Sequence, residues 1–197
     1  MFPICLDFKV EKDNEIIHEH SENGNSWVRN AYNMFDSMMN FTTTTGDWTD
    51  GYFYKRHFLD YYRNEVAIPH NLTLTCGENS HASGILVGSS DERFDFDDLW
   101  LWNPVWNGNT SNRLYYQASN RSFTFDSADN RFILRLSRVF NNNSGGTITV
   151  REVGLVASSL ILISRDVLNT PIELLNGGQL TVTIRIITEY GYFREVY

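Results

Sequence analysis

Ile4, Leu6, Phe8 and Val10 alternate with Cys5, Asp7, Lys9 and Glu11. A period of two gives a strand one apolar and one polar face, so this segment predicts a half-buried β-strand. The polar pair Asp13 and Asn14 then predicts a turn, with Ile16 and Ile17 opening a partner strand. Beyond it the period changes. Trp27, Ala31, Met34, Phe35 and Met38 recur at helical spacing, which predicts an amphipathic α-helix over 26–40, N-capped by Asn25 or Ser26.

Residues 41–59 turn to Thr, Gly, Asp and aromatics, consistent with either a long loop or a hairpin with its tip at 49–51. Downstream of Pro69, short apolar or β-branched runs recur at 72–75, 85–87, 114–116, 122–125, 132–140, 147–156, 160–163, 179–187 and 192–197. Asn, Gly, Ser and Asp clusters such as 141–146 and 176–178 separate them. Strands punctuated in this way predict a mainly β fold: one domain over 1–197, an antiparallel β-sandwich or jelly roll with one N-terminal helix and an aromatic, Thr-rich insertion at 41–59. The alternation from Leu180 to Ile186 is strict, whereas Ile148 and Val150 change parity to Val153 and Leu155. That change predicts a bulge or bend around Arg151 and Glu152, with Gly154 supporting it.

Composition narrows the class. Of 197 residues, 42% are hydrophobic and 14% aromatic, enough to build a core. No apolar run approaches the roughly 18–20 residues that cross a bilayer, and the opening residues predict neither a secretory leader nor a membrane partner. The net charge of −8 is uneven: residues 1–98 hold 7 basic and 17 acidic side chains, and 99–197 hold 9 and 7. Such acidity argues against nucleic acid as a partner. Arg outnumbers Lys 13 to 3, a bias that suits protein–protein contact. Cys5 and Cys76 are too few for a disulfide framework and read as reduced thiols.

Chemical motifs are sparse. The glycines of 84–88 lack the Lys-Ser/Thr of a phosphate loop. His18 and His20 could share a strand face, but no third ligand is spaced to complete a metal site. The acidic run 91–98 lacks an EF-hand pattern and reads as a solvated turn or as carboxylates meeting Arg of a neighbouring subunit. Neither a nucleophile elbow nor a nominated acid pair is present, so no catalytic, cofactor or metal residue is assigned and the chain reads as a non-enzyme. Trp100, Trp102 and Trp106 cluster; buried they would fill a core or interface, exposed they could stack on sugar rings. Arg138, Arg151, Glu152, Arg165 and Asp166 lie in or beside the most apolar strands. Because unpaired buried charge is costly, they predict an ion-pair network bracing the fold.

The stretches 137–155, 160–168 and 171–186 carry, in order, an S-R-x-F-x-N start, a V-x-E-x-G-L strand, an R-D-V-L strand and a G-x-x-L-T-V-T strand. With the helix pattern at 26–34 and the G-I-x-V-G strand at 84–90, this ordered set resembles a C-terminal β-sandwich module of tailed-bacteriophage virion structural proteins. The insertion at 41–59 departs from that pattern. The resemblance implies a structural role without catalysis, in contact with other virion proteins and with copies of itself. The expected place is the virion, assembled in the host bacterial cytoplasm, as a tail, neck, collar or fibre-attachment component. Capsid decoration, or a receptor- or glycan-binding fibre module, is the alternative it leaves open.

Overall fold

The computed structural model describes residues 3–24, 26–32, 52–59, 65–69 and 73–189. Eleven strands run through them: β1 (Ile4–Lys12), β2 (Glu15–Gly24), β3 (Tyr52–Leu59), β4 (Glu65–Pro69), β5 (Gly84–Gly88), β6 (Tyr115–Tyr116), β7 (Asn120–Asp126), β8 (Arg131–Asn141), β9 (Ile148–Ala157), β10 (Ile161–Leu174) and β11 (Gln179–Glu189). The fold is mainly β, and the ladders between named strands are antiparallel.

The larger sheet runs β2-β1-β11-β8, and β6 and β7 share the outer edge of β8. The second runs β10-β9-β5, while β3 and β4 form a separate pair. The turn from β1 to β2 works because Asp13 and Asn14 adopt φ of 54° and 66°, a left-handed pair that short polar side chains tolerate. In β1 the predicted face is realised: Ile4, Leu6, Phe8 and Val10 are buried. Their partners on β11 are Ile186, Ile184, Val182 and Leu180. One hydrophobic cluster unites these residues with Leu136 and Phe140 of β8, Val153 and Leu155 of β9, and Leu86 of β5. Each such buried side chain contributes about 1.5–3 kcal/mol relative to exposure, so the two sheets form one apolar core.

Several expectations need correction. The parity change in β9 sits beside a register shift in its pairing with β10, where Val167 faces Glu152 and Ile172 faces Val150, while its pairing with β5 continues in register from Glu152 to Val156. From Glu152 to Ala157 both faces are buried. The face carrying Gly154 lies under Leu101, while Asp166 of β10, paired with Val153 on the other face, abuts Gly24 of β2. A strand covered twice shows no alternation. The extra residues lie on the β10 side of that ladder, between Leu162 and Ser164 and between Val167 and Ile172. Residues 73–75 are not a strand; Thr73 Oγ1 bonds locally to Thr75. In the 41–59 region, β3 pairs downstream with β4; the expected loop or hairpin tip at 49–51 lies outside the described residues. Helical geometry is described only at residues 29–32: residues 26–28, expected to open the helix behind a cap at Asn25 or Ser26, run instead alongside β10, with Trp27 bridging Ser164 and Val28 N donating to the Ile163 carbonyl. Residues 33–40 of the predicted helix and the run 192–197 lie outside the described residues.

Candidate functional site

The connection from β5 to β6, residues 89–114, has no regular strand or helix of its own. Connections this long without internal secondary structure usually carry function. What fixes this one is buried charge. Arg165 on β10 is fully buried, and its Nε donates to Glu152 Oε2 at 2.7 Å. Its Nη1 donates to Asp98 Oδ2 at 2.9 Å and its Nη2 to the carbonyl of Glu92 at 2.8 Å. Glu152, also fully buried, accepts the backbone N–H of Trp102 at 3.2 Å and of Asn103 at 2.9 Å. Asp98 accepts Trp102 Nε1 at 3.1 Å. Pairing and hydrogen bonding together offset the desolvation of all three charges.

The loop's far half is tied to β5 and β6. Val105 N donates to the Val87 carbonyl at 3.0 Å, and Ser89 N to the Asn103 carbonyl at 2.8 Å. Asn107 Oδ1 accepts Tyr116 N at 2.9 Å, and the Tyr116 hydroxyl donates to the Val105 carbonyl at 2.5 Å. Burial pushes the Tyr116 phenol above its ordinary pKa, so it stays a donor. Tyr116 is anchored in turn by Arg138, whose guanidinium carbon lies 4.6 Å from the ring centroid.

Arg138 is fully buried, and its hydrogen-bond partners among the described residues are carbonyls. Its Nε donates to the Gln117 carbonyl at 2.9 Å, Nη1 to that of Ile85 at 3.0 Å and Nη2 to that of Ser80 at 2.5 Å. Longer contacts reach the carbonyls of Ser83 and Gly77. Burial lowers its pKa, yet an arginine starts high enough to remain charged.

Held by these ties, the loop and the start of β9 enclose an open cleft of about 510 Å³. Asn103, Trp106, Asn112, Arg113, Thr147 and Thr149 are among its walls. Arg113 is its sole charged wall residue among the described residues, and its Nη1 also donates to the Asn107 carbonyl at 3.1 Å. A second hollow, about 310 Å³, lies among the turns at Asp13, Asn14, Asn141 and Gly178. It is built mainly from turn residues with both signs of charge, with no aromatic wall.

The tryptophans separate. Trp100 is buried, Trp102 is 60% exposed, and Trp106 lines the cleft with its ring edge-on to His81. The expected five-residue network also divides. Glu152 and Arg165 belong to the buried triad, to which sequence reasoning had not assigned Asp98. Arg151 makes a 3.7 Å pair with exposed Asp91. Arg138 binds carbonyls, and Asp166 lies against Gly24. The acidic run meets arginines of its own chain: Asp97 with Arg29, Asp98 with Arg165, Asp91 with Arg151. His18 Nε2 and His20 Nδ1 lie 2.7 Å apart, and His20 stacks on Phe8. Burial and the neighbouring His18 lower the His20 pKa, and no group of three metal-ligating side chains forms among the described residues.

Asn112, Arg113, Thr147 and Thr149 were missed by sequence reasoning. They come from two separate stretches, and no motif joins them.

No protein-family model matches the chain, and no curated protein or solved structure matches it either.

Proposed function

We propose that the chain is a structural component of a tailed-bacteriophage virion, in the tail, neck or fibre-attachment region, working through contacts with other virion proteins and with copies of itself. In this reading the two sheets pack as a β-sandwich of jelly-roll kind, and the molecule is a rigid repeated part without catalytic duty. The ordered strand motifs from Ser137 to Ile186 supply the family; they fall on β8, β9, β10 and β11.

The observation that carries the contact role lies on β7. Phe123 and Phe125 stand opposite Leu134 and Phe132 of β8, on the face that further along β8 buries Leu136, Arg138 and Phe140. Yet Phe123 is 62% and Phe125 52% exposed, and Phe123 stacks on Phe132 at 5.4 Å. The larger sheet therefore carries its apolar face past the point where the core covers it. An uncovered aromatic patch on an edge strand is the kind of surface that associates.

Light scattering on the purified chain tests the reading. A mass of several times 22.8 kDa, falling to one protomer in Phe123→Ser/Phe125→Ser, is expected. A monomer at all concentrations, together with absence of the protein from purified particles, refutes it. Particle maps with its density on the head surface would favour the capsid-decoration alternative.

A further inference from the structure

We propose that the cleft beside Trp106 is a saccharide-binding site that seats an acidic sugar unit at Arg113. This goes beyond the structural role and does not rest on it. The cleft's volume of about 510 Å³ falls within the roughly 300–1,000 Å³ typical of small-molecule sites.

Its chemistry selects the class. One wall is the half-exposed Trp106 indole, an apolar plate on which the C–H face of a pyranose can stack. The others carry Ser111, Asn112, Thr147 and Thr149. Hydroxyl and amide groups both donate and accept, as a polyhydroxylated ligand requires. None of these four side chains is spent on a hydrogen bond to another described residue, so each is open to a ligand. A nucleotide or polyphosphate would call for several cations, whereas the cleft has Arg113 alone and no carboxylate among its described walls. That single guanidinium fits one carboxylate, bidentately, beside a neutral ring.

The site is also preorganised. Glu152 fixes the backbone at Trp102 and Asn103, and Tyr116 fixes Val105, next to Trp106. Binding therefore need not order the loop, and less of the contact energy is lost to entropy.

The test is an immobilised array of neutral oligosaccharides and of oligosaccharides containing hexuronic or sialic acid, probed with the folded full chain. The wild type is expected to retain acidic saccharides. Trp106→Ala should reduce retention at least tenfold across the array. Arg113→Gln should reduce retention of acidic saccharides about tenfold and leave neutral ones unchanged. Thermal unfolding checks that each variant folds; if Trp106→Ala does not, Thr147→Val/Thr149→Val takes its place with the same expected loss. No retention by the wild type, or retention unchanged in the folded cleft variants, overturns the proposal.

Discussion

Arg165 and Glu152 meet at 2.7 Å with neither side chain exposed to solvent. The contact joins β10 to β9, and through the second carboxylate oxygen it reaches Asn103, 49 residues upstream of Glu152 in the loop. One buried bond thus couples the smaller sheet to the wall of the cleft.

Arg165→Met should therefore be severe. It leaves the carboxylates of Glu152 and Asp98 buried without their cation. A loss of about 3–5 kcal/mol is expected in urea unfolding, together with a changed Trp102 emission. Adding Glu152→Gln should restore part of the stability, because the amide oxygen can still accept one backbone N–H.

Arg138→Lys keeps the charge but not the fork. Nε and both terminal nitrogens reach three carbonyls at 3.0 Å or less in three directions, and a single ammonium cannot serve them while stacking on Tyr116. Each buried carbonyl left unpaired costs about 1–3 kcal/mol, so destabilisation of about 3 kcal/mol or more is expected. Chemical denaturation measures it.

Asp7 gives the fold an acid-sensitive element. Burial pushes its pKa up, but the Arg185 hydrogen bonds at 2.6 and 2.7 Å, with help from Ser21, outweigh this and hold it below 3.8. The folded state thus binds this proton less readily than the unfolded chain. The contribution is fully present above about pH 4 and is lost as pH falls below 3.8 through the folded value. Asp7→Asn should flatten the fall of the melting temperature between pH 4 and 2; an unaltered profile would show that Asp7 is not involved.

Gly88 leaves no room for a side chain. A Cβ there would lie 2.8 Å from the Asn103 carbonyl and 2.7 Å from Glu152 Cγ, both held by the buried triad. Gly88→Ala should cost about 1–3 kcal/mol through overpacking and shift the cleft wall, visible as altered Trp106 fluorescence.

The strands that bury one face were legible in the sequence. β1 and β11 alternate because their other face is only partly buried. β9 misled for the opposite reason: after Glu152 it is covered twice, and burial replaces alternation with an unbroken run. Of the charged residues in the apolar strands, Arg138, Glu152, Arg165 and Asp166 are buried and Arg151 is not, and their partners could not be named. Arg138 binds carbonyls, which have no residue identity, and Asp98 looked like any other carboxylate of residues 91–98. The cleft was invisible because Trp106, Arg113 and Thr149 converge only once β9 lies beside the loop.

The pairing of β1 with β11 sets a timetable. Ile4 finds its partner at Ile186, so the first strand waits for a partner 182 residues further along the chain to be translated. At about 5–20 residues per second, the row Ile4, Leu6, Phe8 and Val10 stands without its closing strand for about 10–40 s. During that interval the nascent protein presents an aggregation-prone strand, and the yield of folded molecules depends on how fast β11 is made and on what shields the first strand meanwhile.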